Sequence, residues 1–460
     1  MTFISTPSAN TLNPTDRSHL VKIGIVGRGF TGMMAAIALL KGFDRPFHLL
    51  MFDPSPKIDG GEAAGQSQAS LLNSRVRDLS IDPDVVDDFQ KWLEADDRWR
   101  DRPASDDVGI EHSFVPGEVF SAYVYRRFSE ALRERTDVVV QVCLENVISI
   151  DQHPDNGFTL SSADQRNTNV DAVFLATGYG VRCTESVAPA PALARNVLVM
   201  GGGIRAVDRA LRLLDEEAAH VTLISASGFL PQSHTRAAVG PVASNLPFPG
   251  TLRGAFRFLR EAAKIADAEG SGWQGIMNGF RSRARDLWQV LTPAERSRFK
   301  RHVRAIYDSH RNRLPPDHYR RLNEAIAQGK ISVRKGKVER IATNGVLLSG
   351  PSGLEVMSAD RLIDCRFRPA DINSPLFHSL FDKGFIRRDE VDLGILVDRS
   401  GRAIGTHEQF QGLFAMGPLG IGSLPDIDLV PEIVVQSHSA ASALKIWTDE
   451  CKRALSAHSA

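Results

Sequence analysis

Gly27, Gly29 and Gly32 follow the short apolar run Lys22-Ile23-Gly24-Ile25-Val26 with G-x-G-x-x-G spacing. Gly201 and Gly203, with Ala206 in the third place, follow Val197-Leu198-Val199-Met200 in the same way. Such residues suit the grip of a diphosphate. The first glycine permits a tight strand-to-helix turn, the second lets the backbone approach the ligand, and the third keeps helix against strand. The helix N-terminus adds unpaired N–H groups and the positive end of its dipole. Phe30 and Thr31 open the first helix, and Ile204 and Arg205 open the second. Two such turns in one chain imply two dinucleotides, most simply FAD at the first and a nicotinamide cofactor at the second.

Other residues refine this chemistry. A second apolar run, Phe47 to Phe52, ends on Asp53, placed to hold a ribose diol of the FAD adenosine. The run Ala172 to Leu175 leads into Ala176-Thr177-Gly178, where Thr177 and Gly178 would leave the sheet near the same cofactor. Gly417 ends a late apolar run, and Pro431 stands in the first turn of the last helix, whose dipole would face a reduced flavin. After the second glycine turn, His220 to Ser225 is followed by Ala226-Ser227-Gly228, with no carboxylate. That absence favours NADPH over NADH, and Arg205 and Arg236 are the candidates for its 2′-phosphate.

The elements that must position these residues read as α/β. Strand, glycine turn, helix and strand recur, giving two Rossmann-like dinucleotide-binding domains, an FAD domain with an inserted NAD(P)H domain. The boundaries expected are a disordered tail at 1–20 and a first FAD part at 21–190. An NAD(P)H domain with an arginine-rich helical insertion follows at 191–355, then a second FAD part at 356–447 and a tail at 448–460. A chain of 460 residues supports such cores. Its 55 basic and 55 acidic residues argue against a dedicated nucleic-acid binder. The four cysteines (Cys143, Cys183, Cys365, Cys451) form no C-x-x-C pair, so neither a metal site nor disulfide-reductase chemistry is expected. No apolar run reaches the ~18 residues of a membrane span, and the polar N-terminus lacks a signal-peptide core. A soluble cytoplasmic protein is expected, with monomer and homo-oligomer both open.

With these residues in hand, the chain resembles the FAD/NAD(P)-binding family related to flavin-dependent N-hydroxylating monooxygenases, whose relatives include nitrosuccinate-forming aspartate N-monooxygenases. The resemblance covers about Val21 to Leu444. It rests on Leu71-Leu72-Asn73, Ala176-Thr177-Gly178, Glu295-Arg296-Ser297-Arg298-Phe299 with His302, His310-Arg311-Asn312-Arg313 and Val430-Pro431-Glu432-Ile433. It implies that Asn73 and Arg77 lie beside the isoalloxazine as catalytic residues. The run Arg77-Asp78-Leu79 is similar to the loop that covers the flavin in amino-acid N-hydroxylases. Arg75, Arg311 and Arg313, together with Arg77, would take substrate carboxylates. Three departures accompany the likeness: Cys365-Arg366-Phe367 in place of C-T-G, Leu424-Pro425-Asp426-Ile427-Asp428 without a Trp-Glu pair, and Gly117 in place of an arginine.

The resemblance implies an NADPH-reduced, FAD-dependent monooxygenase that hydroxylates an amine nitrogen of a small metabolite, such as an amino acid, with O2, through a flavin C4a-hydroperoxide. Two alternatives stay open: an oxidase or dehydrogenase with the same cofactors, and a degenerate flavoprotein acting as a sensor or partner subunit.

Overall fold

The computed structural model describes residues 2–4, 20–55, 71–96, 99, 109–153, 157–179, 195–244, 246–342, 344–366, 372–406 and 410–458. The stretch from Gly60 to Ser70, Cys183 and Phe367 lie outside them. The chain divides into two units. Unit 1 comprises Met1–Ser105, Val115–Arg182 and Pro369–Ala460, and unit 2 comprises Asp106–Phe114 and Cys183–Arg368.

Unit 1 opens with β1 (Thr2–Ile4), β2 (Val21–Val26), α1 (Phe30–Gly42) and β3 (Phe47–Phe52), then α2 (Asp88–Glu94), α3 (Gly117–Arg133) and β4 (Val138–Cys143). An antiparallel sheet of β5 (Val147–Gln152), β6 (Phe158–Ser162) and β7 (Asn167–Val170) follows, before β8 (Ala172–Leu175). The central strands are near-continuous apolar runs, and all four side chains of β8 are buried, as expected for strands covered on both faces. From Phe30 to Leu40 every residue of α1 is buried, so this helix is enclosed all round rather than amphipathic.

Unit 2 holds β9 (Asn196–Met200), α4 (Ile204–Asp215) and β10 (His220–Ser225). The helices α5 (Leu252–Ala268), α6 (Trp273–Val290), α7 (Pro293–Arg298), α8 (Arg304–Arg311) and α9 (Pro316–Ala327) come next. A Thr292–Glu295 capping box starts α7. Then β11 (Ile331–Lys335) leads to the meander β12 (Lys337–Ala342), β13 (Gly345–Gly350) and β14 (Gly353–Ser358), and to β15 (Arg361–Asp364). The chain returns to unit 1 with α10 (Pro375–Asp382), β16 (Leu413–Ala415) and α11 (Val430–His458).

The main sheet of unit 1 runs β1-β4-β3-β2-β8-β16, parallel except for β1. The sheet of unit 2 runs β11-β10-β9-β15 and is parallel throughout. In each, the strand before the glycine turn borders the point where strand order reverses, which is where open α/β sheets bind ligands. The two-Rossmann α/β expectation is met.

Thr2–Ile4 pairs antiparallel with β4, Ile4 opposite Val140. Unit 2 extends to Arg368, and β15 completes its sheet with Ile363 opposite Val199. It also takes in Asp106–Phe114, where His112 Nδ1 accepts from the Ala238 N–H at 3.0 Å. The last helix crosses residue 447 without a break and ends at His458.

Candidate dinucleotide-binding sites

The first glycine turn is built by backbone crowding. Gly27 adopts φ +101, and a side chain there would meet the Ala176 carbonyl oxygen at 2.5 Å. Its N–H donates to the Phe52 carbonyl at 2.8 Å, and the Ala176 N–H donates to the Val26 carbonyl at 2.8 Å. The ends of β2, β3 and β8 are therefore stitched at one point. Gly29 is the extended N-cap of α1, and any side chain on Gly32 would run into the Gly27 carbonyl. Phe30 and Thr31 are buried just inside the helix.

Asp53 ends β3 beside this turn. Its Oδ2 accepts from the Arg28 backbone N–H at 2.8 Å, and its Oδ1 accepts from the Ser55 N–H at 2.8 Å. A carboxylate has about four acceptor sites, so Asp53 is oriented by these two bonds and retains capacity for a ribose diol. Arg28, between the first two glycines of the turn, is buried and donates from Nη2 to the Ser55 carbonyl at 2.6 Å.

Thr177 and Gly178 follow β8. Gly178 has φ +65 with open space where a side chain would be, and buried Thr177 Oγ1 has no hydrogen-bond partner among the described residues. Gly417, at φ +61, closes the group from β16: a side chain there would meet Thr31 Oγ1 at 2.7 Å. The Gly417 N–H donates to Gln436 Oε1 at 2.7 Å. Gln436 was missed in the sequence, although a polar residue among Ile433, Val434, Ala440 and Leu444 on the buried face of α11 was a readable signal. Pro431 lies in the first turn of that helix, which packs against α1.

Asn73, Arg75 and Arg77 lie on a segment pinned to the start of α3, where the Leu72 N–H donates to the Val115 carbonyl at 2.9 Å and Leu71 bridges Pro116. Arg77 is exposed, whereas Arg75 is buried. Burial pushes the Arg75 guanidinium below its usual pKa, with Asp78 opposing the shift and Arg77 adding to it. The departure Gly117 is the buried first residue of α3.

In unit 2, Gly201 has φ +135, and a side chain there would meet the Cys365 carbonyl oxygen at 2.7 Å. Gly202 is crowded by Ser225 Oγ and the Phe229 carbonyl. Gly203 has nothing within 4 Å of its missing side chain, and it caps α4 in an extended conformation. Helix-to-sheet contact is thus made by Gly202 and buried Ala206 rather than by Gly203, which leaves an open backbone face at the helix N-terminus. Ile204 and Arg205 open α4. The departure Arg366 is folded back on Asp364, with Nε to Oδ1 at 2.9 Å and Nη2 to Oδ2 at 2.8 Å.

Arg311 and Arg313 are buried in unit 2. Arg313 Nη2 donates to Asn278 Oδ1 at 2.5 Å and its guanidinium lies 5.7 Å from the Trp273 ring centre. Arg311 Nε is 3.6 Å from Asp308 Oδ1. The four arginines named for substrate are thus divided, Arg75 and Arg77 in unit 1, Arg311 and Arg313 in unit 2.

The fold and these turns define the architecture of a two-dinucleotide-binding flavoprotein. Residues 24–180 match the model of a family described as FAD-NAD(P)-binding. No curated protein matches the chain. Among solved structures, the chain is similar to the ornithine N-hydroxylase of Kutzneria sp. 744, at 17% identity and TM-score 0.61, covering 93% of this chain and 100% of that one. It is also similar to the L-lysine 6-monooxygenase of Pseudomonas syringae, at 16% identity and TM-score 0.62, over 93% and 99% of the two chains. A third likeness is to the bacillithiol disulfide reductase of Bacillus cereus, at 14% identity and TM-score 0.53, over 93% and 99%. At such identities the likeness is one of fold. Among the described residues, no helix is long and apolar enough to cross a membrane.

Proposed function

We propose that the protein is an FAD-dependent, NADPH-reduced monooxygenase that hydroxylates the amine nitrogen of a small metabolite. The observation that carries this reading is the end-to-end likeness in fold to the ornithine N-hydroxylase, whose structure holds reduced FAD, NADP+ and L-ornithine. Both glycine turns stand at the reversal points of their sheets. Absence of a C-x-x-C pair weighs against the disulfide-reductase chemistry that shares this fold.

The residues of unit 1 fit FAD. The turn from Gly27 to Gly29 and the N-terminus of α1 would take its diphosphate, and Asp53 its ribose. Thr177, Gly178 and Gly417 would line the path toward the ring. In unit 2 the open backbone at Gly203 would take the diphosphate of the nicotinamide cofactor. The flavin, once reduced, supplies the activation of O2 for transfer to nitrogen. The chain's own work is to position the amine, exclude water and keep that amine unprotonated, which a dry pocket favours by penalising its charged form. Asn73 and Arg77 would serve beside the ring, and Arg75, Arg311 and Arg313 are the candidates for a substrate carboxylate.

The test supplies FAD-loaded protein with NADPH and 18O2 across a panel of amines and amino acids. A hydroxylamine carrying one 18O, formed in proportion to NADPH consumed, is the expected product. Consumption that yields only hydrogen peroxide with every amine would replace the monooxygenase by an oxidase. No consumption, with FAD bound, would replace it by a non-catalytic flavoprotein.

A further inference from the structure

The adenosine end of the unit 2 site carries a cation that neither the glycine turn nor the strand pattern announces. β10 and β11 are parallel and in register, with Ser225 opposite Lys335 at their C-terminal ends. The chain then turns through Ala226-Ser227-Gly228-Phe229, tied by Ser225 Oγ to the Gly228 N–H at 3.1 Å and to the Phe229 carbonyl at 3.1 Å. This loop folds onto the glycine turn itself, since a side chain on Gly202 would meet both Ser225 Oγ and the Phe229 carbonyl. The Lys335 stem lies along the same loop, its Cβ, Cγ and Cδ 3.3–3.4 Å from the missing side chain of Gly228. Lys335 is exposed, and no ion pair or hydrogen bond of its ammonium is present among the described residues. Phe229 is 45% exposed beside it.

In a dinucleotide fold the adenosine ribose lies off the end of the second strand, where a carboxylate holds the 2′- and 3′-hydroxyls of NADH and repels a 2′-phosphate. Here that strand end offers no carboxylate, and it adds a hydroxyl, an unpaired ammonium and an exposed ring. Arg205 and Arg236, the arginines suggested by sequence, each already hold an interaction of their own.

We propose that Lys335 and Ser227 seat the 2′-phosphate of NADPH, so that unit 2 selects the phosphorylated nicotinamide cofactor. The inference rests on the reading of unit 2 as the nicotinamide site and adds the groups that choose between its two forms. The ammonium would pair with the phosphate and the hydroxyl would donate to it, while Phe229 offers a face to the adenine.

Calorimetric titration of the FAD-loaded protein with NADPH, NADH, 2′,5′-ADP and 5′-AMP tests this without turnover. The wild type should bind NADPH and 2′,5′-ADP at least about tenfold more tightly than their counterparts, as a charge-assisted contact provides. K335A should erase that ratio, leaving NADH affinity and FAD content unchanged, K335E should erase or reverse it with FAD content unchanged, K335R should keep most of it, and S227A should lose a smaller part. Equal binding of both cofactors by the wild type, or an unchanged ratio in K335E, overturns the selection while leaving the nicotinamide site standing. Binding of none of the four removes the nicotinamide reading, and the selection with it.

Discussion

Gly27 and Gly203 are both turn glycines, for opposite physical reasons. Gly27 stands at φ +101 against the Ala176 carbonyl, so an alanine there is strained and clashes with backbone that cannot yield. The backbone term alone is about 1–3 kcal/mol. Gly27→Ala should therefore lower the denaturation midpoint and lose FAD together. Gly203 sits in an extended N-cap with open space beside it, where aspartate is a favoured capping residue. Gly203→Asp should keep or slightly raise the melting temperature and retain FAD, while its carboxylate abolishes NADPH binding. Loss of FAD in Gly203→Asp would contradict the division of labour between the two turns. Asp389 gives a third case, buried and accepting from the N–H groups of Val391 at 2.8 Å and Leu393 at 2.9 Å, as well as Gly394. Asp389→Ala strands these donors and should cost about 2–4 kcal/mol in a urea melt, with the FAD site otherwise unchanged.

At the scale of the elements, α11 ties the late strand to the first turn. Its residues Gln436 and Ser437 are 2% and 1% exposed on an otherwise apolar face, and Gln436 holds the Gly417 N–H. Gln436→Leu leaves that buried donor unmet, at about 1–3 kcal/mol. FAD should leave this variant faster on dilution, read by the recovery of flavin fluorescence. An unchanged rate would mean that the 417 turn is held by packing alone. The elements closest to the chemistry were the legible ones. β2, α1 and β3 are marked by apolar runs punctuated by glycine and Asp53, all local signals. β1 and β15 were not legible as sheet members, because each is defined by pairing with a strand more than a hundred residues away. The length of α11 was readable: neither glycine nor proline follows Pro431, so nothing in the sequence stops the helix before His458. Lys335 escaped notice because its relevance depends on the register of β11 against β10, which composition does not reveal.

At the scale of the whole molecule, each unit holds, among the described residues, one half-buried histidine whose pKa is pushed down. In unit 1, burial lowers His438 on α11, Lys41 adds to the shift, and Asp82 and Asp84 oppose it. In unit 2, burial lowers His318 on α9, Arg321 adds to it, and Asp208, Asp317 and Asp215 oppose it. Both imidazoles are therefore neutral when folded at pH values where the unfolded chain, near the ordinary 6.5, takes up a proton. The unfolded state then binds more protons, so the stability these groups provide is complete above about pH 6.5 and declines as pH falls toward their folded values. Stability of both units should accordingly drop together as pH falls below about 6.5. Thermal melts across that range, followed by flavin release for unit 1 and by hydrogen exchange of β9 and β10 for unit 2, read the two separately. His438→Leu should flatten the pH slope for unit 1 alone, and His318→Leu for unit 2 alone, whatever each does to the absolute midpoint. Should either variant keep the wild-type slope, the proton uptake belongs to other groups, and burial of that histidine is not what makes its unit sensitive to acid.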